Sequence, residues 1–328
     1  MNHEKMRQSV DTLRKLGDHQ ESLGGNMTDA LILAAGWGTR LKPLTFHRPK
    51  VLIPFKGKPL LEHWIDALQN VHVSRIFVNV HALEPYFEIF TDKYKDIVFL
   101  LKEPCILGSG GAIFNALQQS DSEYLLVVNG DTLIENSYTV LERLMAEKAD
   151  GVSMVFSGNA LPHQKNVLIS TDGRVLRFRT AGKKPNTKLV AYTGIQLIHA
   201  DIFHNLNWDG SFIDIIEFYN ALIDQKAVGR EPRYFIRAFC FNDLRWHDLG
   251  EPLAYFQAHF SARNDRAFFC GKNVSFGKNV KVFRSIIWDG VKLMDSTTVE
   301  SCIVCDGVTL KGAFSRKIIT QTGIYPLY

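Results

Sequence analysis

The sequence predicts an α/β protein: a mostly parallel sheet with helices on both faces, followed by a short C-terminal parallel β-helix. Two patterns carry this expectation. From Ala30 onward, short apolar runs without internal polar alternation recur between helical patterns, which is how strands buried on both faces read. In the tail, Val274, Val280 and Ile286 stand six apart, and after a one-residue shift so do Ile287, Leu293, Val299 and Cys305. A six-residue period with Gly and Asn between is the pattern of a parallel β-helix, with an ordinary run of short strands as the alternative.

The elements follow in order. Ala30–Ala35 reads as a buried strand, and Pro59–Val71 as a helix with Leu60, Leu61, Trp64, Ile65 and Leu68 on one face. Arg75–Val80, Ile97–Leu101 and Tyr124–Val128 read as further strands, with helical patterns at Pro85–Tyr94 and Gly110–Gln119 between them. Past Gly151 the pattern loosens. Val167–Ser170 and Arg174–Phe178 flank Thr171-Asp172-Gly173, a hairpin signal. A strand at Tyr192–Ile198 and helices at Ile213–Gln225 and Pro252–Arg263 complete this part. A chain of 328 residues suits one large domain and a smaller one. The expected divisions are a polar extension over 1–26, a catalytic domain over 27–266 and the hexad tail over 267–328. In the extension, Met6, Val10 and Leu13 share one face of a short helix. A docked helix, a loose tail or a true start at Met27 all fit, and no catalytic role is expected of it.

Hydrophobic residues make up 46% and charged residues 22%, ordinary for a globular protein. A net charge of +4 suits an anionic small substrate, but there is no stripe of Lys and Arg of the kind duplex binding needs. No run approaches the roughly 18 apolar residues of a membrane span. The start MNHEKMRQ lacks the apolar core of a signal peptide, so the cytoplasm is the expected compartment. Five scattered cysteines argue against a disulfide framework. Cys302 and Cys305 have CxxC spacing without a second pair or a nearby His, so buried free thiols are expected rather than a zinc site.

Ligands of parallel sheets bind beyond the carboxyl ends of the strands. The first strand ends in Ala34-Ala35-Gly36-Trp37-Gly38-Thr39-Arg40-Leu41, and the stretch closes with Pro49-Lys50. Small residues there let backbone N–H groups approach a triphosphate. Arg40 offers a planar fork to phosphate oxygens and Lys50 a point charge. Gly36-x-Gly38 is half of a dinucleotide fingerprint, but Leu41 stands where its third glycine belongs, and no P-loop is present.

Leu31–Lys50, LILAAGWGTRLKPLTFHRPK, resembles the nucleotide-binding motif of the sugar-1-phosphate nucleotidyltransferases, G-x-G-T-R-L-x-P-L-T-x-x-x-P-K. The resemblance continues through Leu107-Gly108-Ser109-Gly110-Gly111, Val128-Asn129-Gly130-Asp131, Tyr192-Thr193-Gly194 and Trp246-His247-Asp248-Leu249-Gly250. It implies a Rossmann-like catalytic sheet. The tail is similar to the left-handed β-helix of the mannose-1-phosphate guanylyltransferases, shortened. The implied reaction is attack of a sugar 1-phosphate oxygen on the α-phosphorus of a nucleoside triphosphate, expelling pyrophosphate. That chemistry calls for positioning, cations and a metal rather than a protein nucleophile.

By the same resemblance, Arg40, Lys50 and Asp131 are the catalytic residues, and Asp131 and Asp248 hold Mg²⁺, two hard oxygen ligands for a hard cation. Taken alone, Asp131 also reads as a helix cap. Leu33, Ala34, Ala35, Gly36, Gly38, Thr39, Glu103, Gly108 and Ser109 are the implied nucleotide-binding residues. Glu103 is either the reader of the base, leaning to guanine because a carboxylate can accept from two guanine N–H groups, or a solvated charge at a strand end. Lys184, in Gly182-Lys183-Lys184-Pro185, is the candidate for the sugar phosphate or a turn lysine; Thr193 and Gly194 are the candidates for the sugar itself. The uridylyltransferases of N-acetylmuramate 1-phosphate are similar too, sharing Gly110–Leu117 and Tyr192–Ile195. Two other readings are a non-catalytic relative that only binds a nucleotide sugar, which the presence of Arg40, Lys50, Asp131 and Asp248 disfavours, and a hexapeptide-repeat acyltransferase, which fails because no His follows Phe268. Tails of this kind often pack between subunits in the family, so the resemblance points to a homo-oligomer.

Overall fold

The computed structural model describes residues 27–81, 84–148, 150–182, 184–204, 208–227, 235–260 and 268–328. The amphipathic face at Met6, Val10 and Leu13 lies outside them, as do the expected domain boundary near 266 and the end of the helix expected to reach Arg263.

The central strand is β1 (Thr28–Leu33), flanked by β2 (Ile76–Val80) and β4 (Tyr124–Asn129), both parallel to it, with β3 (Val98–Lys102) parallel beyond β2. These strands carry apolar side chains on both faces. Ala30, Ile32, Ile76, Val78, Leu126 and Val128 point into one core, and Leu31, Phe77, Leu125 and Val127 into the other. The first core is closed by α1 (Leu60–Asn70), α2 (Glu84–Thr91) and α4 (Ser137–Ala146). The second is closed by α3 (Gly108–Gln118) and α5 (Ile215–Ala227). The expected helices on both faces are therefore present, and the unalternating strands have their physical reason.

Several strands depart from expectation. The expected Tyr192–Ile198 strand is the middle of β9 (Thr187–His199), which runs antiparallel to β4, to β6 (Gly151–Ser157) and to β7 (Val167–Ser170). The hairpin of β7 and β8 (Val175–Arg177) forms as expected. β6, β10 (Phe235–Phe241, parallel to β6) and a short antiparallel pair of β5 (Thr132–Ile134) with β11 (Trp246–Asp248) have no counterpart in the sequence reading. β6 interrupts its apolar run with buried Ser153 and Ser157, and β5 and β11 are too short for a period to show. The last helix described before the tail, α6, is Pro252–His259.

The tail is a parallel β-helix of three strand faces. On the first face Phe269 pairs with Ile286 and Ile286 with Ile303, and backbone-to-Asp bonds repeat at the same 17-residue interval. That interval explains the one-residue slip in the hexads. It also corrects one reading: Ile287, Leu293 and Val299 line the interior with Val304, whereas Ile286 and Cys305 face outward. There they join Trp288, Ile303 and Ile318 in a single buried cluster with Leu41, Leu44, Ile53, Tyr255 and Phe256 of the α/β part. Cys302 and Cys305 are buried free thiols.

Two stability predictions follow from this seam. Trp288 is 1% exposed, so Trp288→Ala should remove about 3 kcal/mol in urea denaturation; a loss under about 1 kcal/mol would mean the seam is not a shared core. His259 is buried in the same region, with Nδ1 bonded to the Tyr255 carbonyl and Nε2 accepting the Lys56 N–H. Burial first of all pushes its pKa down from 6.5 to about 3. The unfolded chain then binds the extra proton, so stability is fully present above 6.5 and falls as the pH drops towards 3. Between pH 7 and 5 this histidine should account for about 2 kcal/mol of lost stability. His259→Gln should flatten that part of the curve, and an unchanged slope would refute the assignment.

Candidate active site

The site lies at the carboxyl ends of β1, β2, β3 and β4, where the sheet leaves strand ends unopposed. A chain of hydrogen bonds ties these ends together. The Ala34 N–H donates to Asn79 Oδ1 at 2.7 Å, Asn79 Nδ2 donates to Glu103 Oε1 at 2.8 Å, and Glu103 Oε2 accepts the Leu107 N–H at 3.2 Å. Glu103 is 2% exposed, so it is not the solvated charge of the second sequence reading. Burial pushes its pKa up, against the lowering effect of its bonds to Asn79 and Leu107.

The loop after β1 is an arch held at several points. Gly38 has φ 61°, and a Cβ there would lie 2.9 Å from the Thr45 methyl. The Thr45 hydroxyl donates to the Gly38 carbonyl at 2.9 Å. Leu41 and Leu44 are buried in the seam cluster, which fixes the arch from below. Lys50 opens a short 3-10 turn whose Val51 and Leu52 are buried, and its ammonium is ion-paired with Asp131.

Asp131 follows β4 after Gly130. The β5–β11 pair sets Asp248 opposite Thr132, and the Leu249 N–H donates to the Asp131 carbonyl at 3.1 Å. The two carboxylates thus come from residues 117 positions apart in sequence but adjacent in the ladder. Asp248 Oδ1 accepts the Gly250 N–H at 3.0 Å. A Cβ at Gly250 would lie 3.1 Å from Arg40 Nη2, which places the guanidinium beside this turn.

Two cavities meet at Asn129 and Asp131. One, of about 250 Å³, is lined by Leu33, Ala34, Ala35, Gly36, Lys50, Glu103, Gly108 and Ser109 among others. The other, of about 460 Å³, is lined by Arg40, Asp248, Thr193, Tyr192, Arg179 and Trp246 among others. Thr39 lines a third hollow of about 580 Å³, which shares Ala34, Ala35, Gly36 and Lys50 with the smaller cavity. The structure therefore brings together most of the residues singled out in the sequence.

Some of those residues have structural work as well. The Ser109 hydroxyl accepts the Ile215 N–H at the start of α5. The Thr193 hydroxyl is buried and donates to the Val155 carbonyl at 2.8 Å. Gly194, at φ 86°, lies at an irregularity in the β9–β6 register and leaves room for Asn129, whose side chain would sit 2.6 Å from a Cβ. Lys184 is not brought to the cavity. It is exposed, in a turn closed by Thr187, whose hydroxyl bonds both its N–H and its carbonyl. The cation on that wall is Arg179, at φ 55° and ion-paired with Asp214 and Glu217. Sequence reasoning missed Arg179, Asn129, Tyr192 and Trp246 as cavity residues. The last three stand inside the quoted motifs, and Arg179 stands just past an expected strand, so position at a strand end was the available signal.

Similarity to known proteins agrees with this arrangement. Residues 29–264 match the model of the family described as nucleotidyl transferase. The "Bifunctional protein GlmU" of Methanococcus maripaludis (strain C5) is 33% identical over 228 residues, covering 68% of this chain and 52% of that protein; the chain spans about half the length of such curated relatives. The "N-acetylmuramate alpha-1-phosphate uridylyltransferase" of Caulobacter vibrioides is 28% identical over 69% of this chain and 93% of its own. A "Putative mannose-1-phosphate guanyltransferase" of Sulfolobus acidocaldarius is 24% identical over 80% of this chain and 76% of its own. Among solved structures, HddC from Yersinia pseudotuberculosis complexed with GMP-PN shares the fold, with a TM-score of 0.56 and 23% identity over 72% of this chain and 99% of that one. With a match over most of its length, and with the loop after β1 and the two carboxylates gathered at one sheet edge, the chain belongs to the nucleotidyl transferase family.

Proposed function

We propose that the protein transfers a nucleotidyl group from a nucleoside triphosphate to a sugar 1-phosphate, giving a nucleotide sugar and pyrophosphate. The observation that carries this reading is the junction of the two cavities at Asp131, with Lys50 on one side and Arg40 on the other. A reaction that joins two polyanions needs that arrangement: one hollow for each substrate, a shared wall, and fixed cations where charge moves between phosphates. Arg40 would stabilise the leaving pyrophosphate, and Lys50 the transferred phosphate. Arg179 takes the place of Lys184 as the cation for the sugar phosphate, because it lines the larger cavity.

Asp131 and Asp248 fit a magnesium site. They are hard carboxylate donors on adjacent strand ends open to one cavity, a set that Mg²⁺ completes with phosphate oxygens and water. When bound, the ion would supply positive charge to the phosphate oxygens at the reacting centre.

For the base, the proposal is guanine, with mannose 1-phosphate or a related sugar phosphate as acceptor. Glu103 is fixed at the wall of the smaller cavity, and each oxygen keeps a lone pair beyond the one used by Asn79 or Leu107. A fold relative holding GMP-PN and a relative named for guanylyl transfer support the same choice. One observation favours the alternative, uridylyl transfer: Glu103 already accepts the Asn79 and Leu107 N–H groups, which suits a purely structural role, and the Caulobacter relative is named for uridylyl transfer.

Pyrophosphate release from GTP, UTP, dTTP, ATP and CTP against mannose, glucose, heptose and N-acetylated sugar 1-phosphates tests both. Turnover is expected with GTP and a mannose-type sugar and to stop without Mg²⁺; a maximum with UTP would move the base assignment, and no turnover with any pair would overturn the reading. In the productive pair, Arg40→Ala should lower kcat by roughly 10²–10³. Near-full turnover would remove Arg40 from the chemistry.

A further inference from the structure

We propose that Arg48 is a positioning residue through which the β-helix fixes the back half of the nucleotide loop, and with it Lys50. Arg48 stands two residues before Lys50, in His47-Arg48-Pro49-Lys50. Its Nη2 lies 3.0 Å from Asp306 Oδ2 and 3.5 Å from Asp289 Oδ2, and its guanidinium carbon is 5.4 Å from the centre of the Trp288 ring. Asp289 and Asp306 occupy the same place on successive coils, 17 residues apart.

The acceptors are themselves held in place. The Asp289 N–H donates to Asp306 Oδ1 at 3.2 Å, and Asp289 Oδ1 accepts the Lys272 N–H at 2.7 Å. Each aspartate thus spends one oxygen on the coil below or above and turns the other to Arg48. Trp288, under the guanidinium, is anchored in the catalytic domain by its Nε1, which donates to the Tyr255 hydroxyl at 3.2 Å. That hydroxyl in turn donates to the Pro54 carbonyl. The arrangement is a rigid clamp built from both domains.

The front of the loop is held by apolar packing of Leu41 and Leu44 and by the Thr45 hydroxyl. At the back, Pro49, Val51 and Leu52 are buried on either side of Lys50, and Phe46 meets the Tyr325 ring edge-on at 6.1 Å. A hollow of about 440 Å³ is lined by Pro43, His47 and Arg48 of the loop and by Asp289, Asp306 and Gln321 of the β-helix. Across this hollow the ion pairs and the ring contact of Arg48 tie the loop to the β-helix. Pro49, with φ −53° and buried, passes the constraint on without slack to Lys50. A catalytic cation displaced by even about 1 Å loses much of its effect, so the clamp bears on rate and not only on stability.

The inference borrows one thing from the proposed function, that Lys50 acts on the phosphates, and the test separates the two. In the substrate-free full-length chain, hydrogen exchange should accelerate in the loop around residues 42–50 for Arg48→Gln and Asp306→Asn, with the β-helix strands unchanged. With the pair that the wild type turns over, both variants should lose about tenfold in kcat with the KM for the sugar phosphate unmoved. Arg48→Lys, which keeps the charge, should recover most of this. In a Lys50→Met background, Arg48→Gln should add no further loss. Unchanged loop exchange would overturn the clamp itself, and an equal loss in the Lys50→Met background would overturn its action through Lys50. If the wild type turned over no pair, the proposed function would fall, and the exchange data would still decide the clamp.

Discussion

The Lys50–Asp131 ion pair is the point on which the rest of the structure converges. Its lysine comes from the arch after β1 and its carboxylate from the end of β4, so parallel pairing of those strands is the first condition for it. The β5–β11 pair adds Asp248 from far along the chain. The Lys50 side chain is 11% exposed and that of Asp131 30%. At such partial burial a lone ammonium or carboxylate would be poorly solvated, so each needs the other. Under the proposed function, a phosphate and a divalent cation would offer each of them a replacement partner of the same sign as the one it gives up. The charges can therefore be preorganised at little cost and redirected on binding, which is the condition for electrostatic catalysis.

What the sequence reveals of this depends on how local each feature is. The arch Leu31–Lys50 was legible because its constraints are short-range: a strand, a left-handed glycine, buried leucines and a cation within twenty residues. The two-faced core strands were legible through their unbroken apolar runs. Features made by distant chain segments were not. β6, β10 and β11 are defined by their partners rather than by period. Lys184 resembled a family motif in its dipeptide, but the turn at Thr187 carries it to the surface, while the backbone at Arg179 turns a less conspicuous cation into the cavity. For Glu103 the sequence leaves a base reader and a solvated strand-end charge open; only the neighbouring strand shows that Asn79 bonds it and that it is buried.

The tail illustrates the same point in a repeat. Six-residue spacing identified the β-helix, yet the slip between Ile286 and Ile287 reads as a flaw if only the interior is considered. It is where one face serves two cores. Ile287 and Val304 fill the coil, while Ile286 and Ile303, their neighbours on the outside, fill the seam with α6 and the nucleotide arch. Two adjacent apolar residues per coil are what a strand needs when both of its sides are dry. The β-helix is thereby a wall of the catalytic domain, and its aspartates reach the arch only because this packing holds them at the right height.

The larger of the two cavities that meet at Asp131 shows where the fold accepts a cost. Among the described residues, Tyr192 Oη and Trp246 Nε1 are buried without a hydrogen-bond partner, and both residues line that cavity. An unpartnered buried donor typically costs about 1–3 kcal/mol, and such costs concentrate at functional positions. Tyr192 directly precedes Thr193 and Gly194 in the irregular stretch of β9, and Trp246 opens β11, two residues before Asp248. The backbone features that build the reacting centre therefore also dictate where these rings lie. Tyr192 shares its strand with Gly194, which packs against Asn129, and Trp246 shares its strand with Asp248. The unsatisfied donors are thus tied to the geometry of the shared wall, and relieving them would act on the same strand ends that carry Asn129 and Asp248.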